Sequence, residues 1–256
     1  MEKRDNTKII AVAGKGGVGK TSIAAVIVKL LVEQYPDKRI LAIDADPAVG
    51  LSTVLNVNVE KTIDDIRKEA IARVENGDTK SAIELLGEAK YEIMDALVEQ
   101  DGYAFIAIGR PEAAGCYCKI NAYLKEVITM LSAQFDYVVI DGEAGIEQIN
   151  RRVMEKVSHL LLITDASKKG CQVIQTVKKV ADELVMYEKI GAIANRVPDA
   201  SVTQYMDLGE IPLLATIEAD TELATCDMKG ENVFYLPETA TVVEGTRKAL
   251  KKIEIM

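Results

Sequence analysis

Short runs rich in Ile, Val, Leu and Ala recur along the chain at Lys8–Ala13, Arg39–Asp44, Tyr103–Ile108, Asp136–Asp141, Ser158–Thr164 and Ile190–Asn195, with a shorter one at Pro212–Thr216. Their apolar residues are nearly continuous, as strands buried on both faces require; half-exposed strands alternate apolar with polar. Between them lie longer stretches whose apolar residues return at helical spacing: Lys20–Gln34, Asn121–Gln134, Gly170–Glu188 and Thr239–Ile253. This alternation predicts an α/β fold, a mostly parallel sheet with helices on both faces and ligands beyond the carboxyl ends of its strands. Thr62–Gln100 breaks the rhythm with charged helical pattern and reads as a helical surface insertion at about 62–100. The sequence has no internal repeat.

Composition narrows the picture. With 256 residues and 48% hydrophobic content the chain can bury one sizeable core, and it has no Pro-, Gly- or Ser-dominated linker, so residues 1–256 are expected to form one domain. Met1–Asn6 reads as a loose end. The apolar runs fall far short of the ~20 residues of a membrane span. The first of them leads directly into a glycine loop rather than a cleavage site, so the expectation is a cytoplasmic protein. A net charge of -9 argues against a protein whose main task is gripping nucleic acid. Disulfides are rare in such a compartment, so among the four cysteines the close pair Cys116 and Cys118 suggests metal binding or redox chemistry, while Cys171 and Cys226 read as small buried hydrophobes. His159, in the apolar run SHLLLIT, reads as a core or edge residue.

The strongest chemical signal is Gly14, Lys15, Gly16, Gly17, Val18, Gly19, Lys20, Thr21, followed by Ser22. It fits G-x-x-x-x-G-K-[ST] and lies where that pattern must lie, after a strand and at the start of a helix. Glycines let backbone N–H groups curl around phosphates and the helix start adds partial positive charge. Lys20 is expected to reach the β and γ phosphates, and Thr21 to hold magnesium. ATP and Mg2+ are the expected ligands. Asp44, Asp46 and Asp141 end strands on the same side of the sheet; an aspartate there serves equally as a turn or helix cap.

Cys116 and Cys118 stand between a predicted strand and a predicted helix, where a helix start favours thiolate. A soft metal such as zinc usually takes four ligands, and with His159 the only histidine and no second close cysteine pair one chain cannot easily supply them. Two copies can, so the pair suggests a homodimer sharing one ion. C-x-C alone is a weak pattern, and a redox-sensitive or incidental pair is the plain alternative.

In GKGGVGKT the chain resembles the deviant Walker A P-loop NTPases, the class that includes MinD, ParA and the nitrogenase iron protein. The resemblance implies that Lys15 crosses a dimer interface to the partner's nucleotide, stabilising transition-state charge as an arginine finger would. It further implies that Asp46 positions or activates the attacking water, that Asp44 lies near the magnesium shell and that Asp141 holds magnesium through water. Asn195 would read the adenine edge beside Arg196, with Pro237 and Glu238 as the opposite wall of the base site. Taken with IDADP, RPEAAGCYC, IDGEAGIE and ANR, the loop resembles the CooC-type accessory ATPases that insert nickel into carbon monoxide dehydrogenase. That implies ATP-driven dimerisation, nickel captured by both cysteine pairs and release to the apo-enzyme on hydrolysis.

Two other classes share the loop. The iron–sulfur-carrying electron-transfer type places a further cysteine after the Asp141 strand, where this chain reads Gly142, Glu143, Ala144, Gly145, Ile146. Spatial regulators of the MinD and ParA kind need a membrane or DNA handle. Arg247, Lys248, Lys251 and Lys252 with Leu250 and Ile253 suggest a small basic amphipathic end, and a terminal helix packed on its own sheet explains the same pattern.

Overall fold

The structure is a computed structural model that describes residues 7–46, 50–75, 91–109, 125, 126, 128–142 and 156–256. Cys116 and Cys118 lie outside the described residues, as do Met1–Asn6 and the segment that follows Gly142.

The strands are β1 (Lys8–Gly14), β2 (Ile40–Asp44), β3 (Val98–Gln100), β4 (Tyr103–Ala107), β5 (Tyr137–Asp141), β6 (His159–Thr164), β7 (Lys189–Val197) and β8 (Leu213–Glu218). They form one sheet in the order β3-β4-β2-β5-β1-β6-β7-β8. Every neighbouring pair is parallel except β3 with β4. Strands β2, β4, β5 and β6 are buried along their whole length, which is why their sequences are apolar throughout. The helices are α1 (Lys20–Gln34), α2 (Gly50–Val54), α3 (Ile63–Glu75), α4 (Lys168–Leu184), α5 (Thr221–Lys229) and α6 (Thr241–Lys252), with further helical residues at 91–95 and 128–132.

Alternate side chains of each strand enter two cores. Ile10 and Val12 pack with α1, α5 and α6 on one face, while Ala11 and Ala13 face the layer built by α3, α4 and the helical residues at 91–95 and 128–132. In α1, Ile23 to Leu31 are all buried, so this helix is held by tertiary packing on its sheet. The segment read as a helical insertion supplies α3, ends in β3, and sends Ile63, Ile66, Ile93 and Ala96 into the second core.

Helix α6 buries Val242, Val243, Ala249 and Leu250 against the sheet, and Ile253 and Ile255 follow them inward. Lys252 donates to Leu213 O at 2.5 Å, and Lys8 donates to Glu254 O and Ile255 O, so the apolar side of this basic end is covered from within the fold. No helix among the described residues is long and apolar enough to cross a membrane.

Candidate nucleotide site

Strand β1 lies where the chain's path across the sheet reverses, flanked by β5 and β6, and its carboxyl end opens into the glycine loop. Gly14 has φ +132, and a Cβ there would stand 2.2 Å from Ile163 O, so the turn into the loop excludes every other residue. Lys15 N donates to that same Ile163 O at 3.1 Å. Gly19, in the left-handed region at φ 88, leads into α1, which has no side-chain cap and no acidic residue in its first turn. The first amides of α1 are therefore left for an anion. Lys20 is buried and donates to Lys15 O at 3.2 Å, folded across the loop.

Asp44 and Asp141 are register partners on β2 and β5, both fully buried. Asp44 is a clamp: its Oδ1 accepts Asp46 N at 3.1 Å and its Oδ2 accepts Leu51 N at 2.9 Å, tying the end of β2 to the first turn of α2. Burial pushes its pKa up to about 6 against these backbone donors. Asp141 differs, because neither carboxylate oxygen accepts a well-formed hydrogen bond. Burial lifts its pKa to about 7, while the Thr21 hydroxyl and the Lys20 ammonium lie close enough to favour its charged form. A buried carboxylate without full partners, beside a threonine hydroxyl and a lysine, has the donor chemistry that a magnesium ion and its waters satisfy. Asp46 follows β2 half-buried and close enough to raise both carboxyls.

Lys15 turns sideways. Its ammonium pairs with Asp165 Oδ2 at 2.5 Å and lies 3.4 Å from Ser167 Oγ, in the turn between β6 and α4. Asp165 Oδ1 accepts Ser167 N and Ser167 Oγ, and Ser167 Oγ accepts Gly170 N as the cap of α4. Burial raises the Asp165 carboxyl, and the donors from Lys15 and Ser167 outweigh it and hold the group below its ordinary value.

Asn195 is buried at the end of β7 and donates Nδ2 to Val18 O at 2.7 Å, while Arg196, with φ +55, reaches Gly17 O at 3.2 Å. The amide that the resemblance assigns to the adenine edge thus braces the phosphate loop. Pro237 is exposed and borders a cavity of about 270 Å3 with Thr221, Thr225 and Tyr235; Glu238 pairs with Arg247 at 3.3 Å. Two aspartates that the sequence reading passed over organise this region. One is Asp165; the other is Asp220, whose Oδ1 accepts Glu222 N and Leu223 N at the start of α5 while its Oδ2 accepts Val242 N at the start of α6. Each stands at a strand end, the signal by which Asp44 and Asp141 were found.

Cys171 and Cys226 are buried free thiols. His159 is also buried, its Nδ1 2.8 Å from Ser158 Oγ, and burial with Lys8 and Lys189 nearby lowers its pKa to about 4. No three His, Cys, Asp or Glu side chains among the described residues converge to hold a metal ion. The cysteine pair falls outside that set.

Phosphate loop, strand-end aspartates and sheet order define a nucleotide-binding P-loop protein, and the chain belongs to the CobQ/CobB/MinD/ParA nucleotide binding domain family, whose model matches residues 9–233. It is 37% identical over 249 residues to an uncharacterized ATP-binding protein of Methanocaldococcus jannaschii, covering 96% of this chain and 98% of that one. It is 28% identical over 231 residues to the carbon monoxide dehydrogenase accessory protein CooC of Rhodospirillum rubrum, covering 82% of this chain and 85% of that one. Among solved structures, the septum site-determining protein MinD from Pyrococcus horikoshii, complexed with Mg-ADP, has the same fold at a TM-score of 0.65 and 21% identity, with 97% and 96% of the two chains covered.

Proposed function

We propose that the chain is a Mg2+-dependent ATPase that works as a homodimer, holds nickel or zinc between its two copies on Cys116 and Cys118, and delivers nickel to a client of the apo carbon monoxide dehydrogenase kind. The observation that carries the ATPase reading is the under-partnered carboxylate of Asp141 beside Thr21, at the mouth of a helix that lacks a cap. The metal reading is supported by the C-x-C pair and by likeness to the Rhodospirillum accessory protein. Helix α6 favours it over a membrane-bound regulator to the extent that its apolar side is already packed on the sheet.

In this reading the amides of Gly16 to Gly19 and the start of α1 receive the phosphates, with Gly14 setting the turn and Ser22 in the same first turn, and Lys20 leaves Lys15 O to join them. Thr21 and Asp141 would hold magnesium, with Asp44 behind, and the ion would neutralise phosphate charge. Asp46 orients the attacking water. Asn195 and Arg196 keep the loop in shape from β7, and the base lies toward Pro237 and Glu238.

Lys15 is occupied within its own chain by Asp165. To act on a partner's nucleotide it must leave that carboxylate, so the pair restrains hydrolysis until two chains meet. Lys15→Ala is expected to bind ATP within about threefold of wild type and to hydrolyse it on the order of 10²-fold more slowly. Asp165→Asn, which frees the lysine, is expected to dimerise at lower ATP concentration, as light scattering would report. Equal turnover by Lys15→Ala and wild type would remove the cross-subunit role.

The metal reading is tested by anaerobic titration of nickel and zinc into wild type and a Cys116→Ala, Cys118→Ala double variant, with molar mass followed alongside. The expected result is a single ion shared by two chains in wild type and its loss in the variant. Equal binding by both proteins, or binding by neither, leaves only the dimerising ATPase.

A further inference from the structure

Lys29 is a buried cation for which phosphate binding has no use. It lies on α1 about 13 Å beyond Lys20 along the helix, and only 3% of its surface is exposed. Its ammonium donates to Glu33 Oε1 and to Phe234 O, the latter at 3.2 Å, and stands 5.9 Å from the centre of the Phe234 ring. Burying an ammonium is costly, and an apolar side chain of similar length would fill the space without that cost. What the lysine adds is a fixed separation between α1 and one main-chain carbonyl.

That carbonyl belongs to a segment tied down from several sides. Phe234 stacks on Tyr103 of β4 with ring centres 5.7 Å apart. Asn232 donates Nδ2 to Leu55 O, just past α2, at 2.7 Å, and its Oδ1 accepts Phe234 N. Val233 and Leu236 are buried. On the far side, Asp220 takes Val242 N at 2.8 Å. The chain between these anchors contains Pro237 and Glu238.

We propose that Lys29 and Asn232 are positioning residues for recognition of the nucleobase. They hold the Pro237–Glu238 segment at a set distance from the phosphate loop, because Lys29 rides on the helix that this loop opens and Asn232 ties the same segment to the end of α2. The proposal rests on the reading of Pro237 and Glu238 as a wall of the base site.

Binding of Mg-ADP, which has a base, is compared by calorimetry with binding of Mg-pyrophosphate, which has none. Lys29→Met and Asn232→Asp are each expected to weaken ADP by about five- to twentyfold and to leave pyrophosphate within about twofold. Asn232→Asp keeps an acceptor for Phe234 N and replaces the donor to Leu55 O by a carboxylate oxygen that repels it, so it decides the matter if Lys29→Met does not fold. Equal weakening of both ligands, or of neither, overturns the proposal and leaves Lys29 as structural. A Pro237→Gly, Glu238→Ala variant separates the two levels. If it leaves the ADP-to-pyrophosphate ratio unchanged, the base-wall reading fails and the proposal falls with it; if it alone lowers the ratio, that reading stands and Lys29 and Asn232 lose their role.

Discussion

Lys20→Ala is expected to weaken Mg-ATP binding by about 10²- to 10⁴-fold and to abolish every nucleotide-dependent behaviour of the protein. Lys20 is buried at the start of α1, where its ammonium donates to Lys15 O with Asp141 nearby, the position from which it can turn onto bound phosphates. Charge-assisted hydrogen bonds are worth about 1.5–3 kcal/mol each, so losing two of them to phosphate oxygens gives the stated range. The fold should survive, because α1 is held by the buried run from Ile23 to Leu31 rather than by its first residue. Calorimetric titration checks the affinity and thermal denaturation checks the fold. A dissociation constant within about threefold of wild type would mean that the phosphates sit elsewhere.

Asp141→Asn should move stability and ligand binding in opposite directions. Burial raises the wild-type carboxyl from 3.8 to about 7, so the folded protein holds this proton more tightly than the unfolded chain does. The sign follows from linkage: the penalty is absent below the unfolded value, grows as pH rises through the window from 3.8 to about 7, and is complete above it. At pH 8 the ligand-free asparagine variant should therefore be more stable than wild type by on the order of 1–3 kcal/mol, and its stability should change less between pH 6 and 8. Added Mg-ADP should stabilise wild type more at pH 8 than at pH 6, because magnesium competes with the proton for this carboxylate, and should lose that pH dependence in the variant. A variant less stable than wild type at pH 8 would show that Asp141 is held by partners rather than left for a cation.

The parts of this molecule legible in its sequence are those whose signal is local. The strands buried on both faces wrote themselves as apolar runs, and α1 was read with its observed ends because an apolar helical run follows the glycine loop directly. Strand β3 escaped because it has only three residues, with Glu99 and Gln100 exposed, on an antiparallel edge where no core demands an apolar run. Helix α2 is too short for a period. Helix α5 buries only Cys226, so its evidence lay in its ends: Asp220 as cap and Gly230 at φ 63. The phosphate loop is contiguous and was therefore visible at once. The pairing of Lys15 with Asp165 joins residues 150 positions apart, and the clamp that Asn195 makes on Val18 spans 177, distances over which no spacing rule operates. Nothing in the local sequence distinguishes Lys29 from any other lysine on a helix, and only the fold reveals that it is enclosed.

The bare start of α1 has a consequence for how the protein endures in a cell. A helix that begins after Gly19 with no capping side chain leaves its first amides without a side-chain acceptor until an anion arrives, so the nucleotide stands in for a cap that the polypeptide does not supply. Depletion of ATP and ADP would then do more than idle the protein. It would leave the first turn of α1 and the phosphate loop the least secured part of the fold, while the buried run from Ile23 to Leu31 keeps the rest of the helix on the sheet, so the loop's exposure to local opening would follow the energy state of its surroundings.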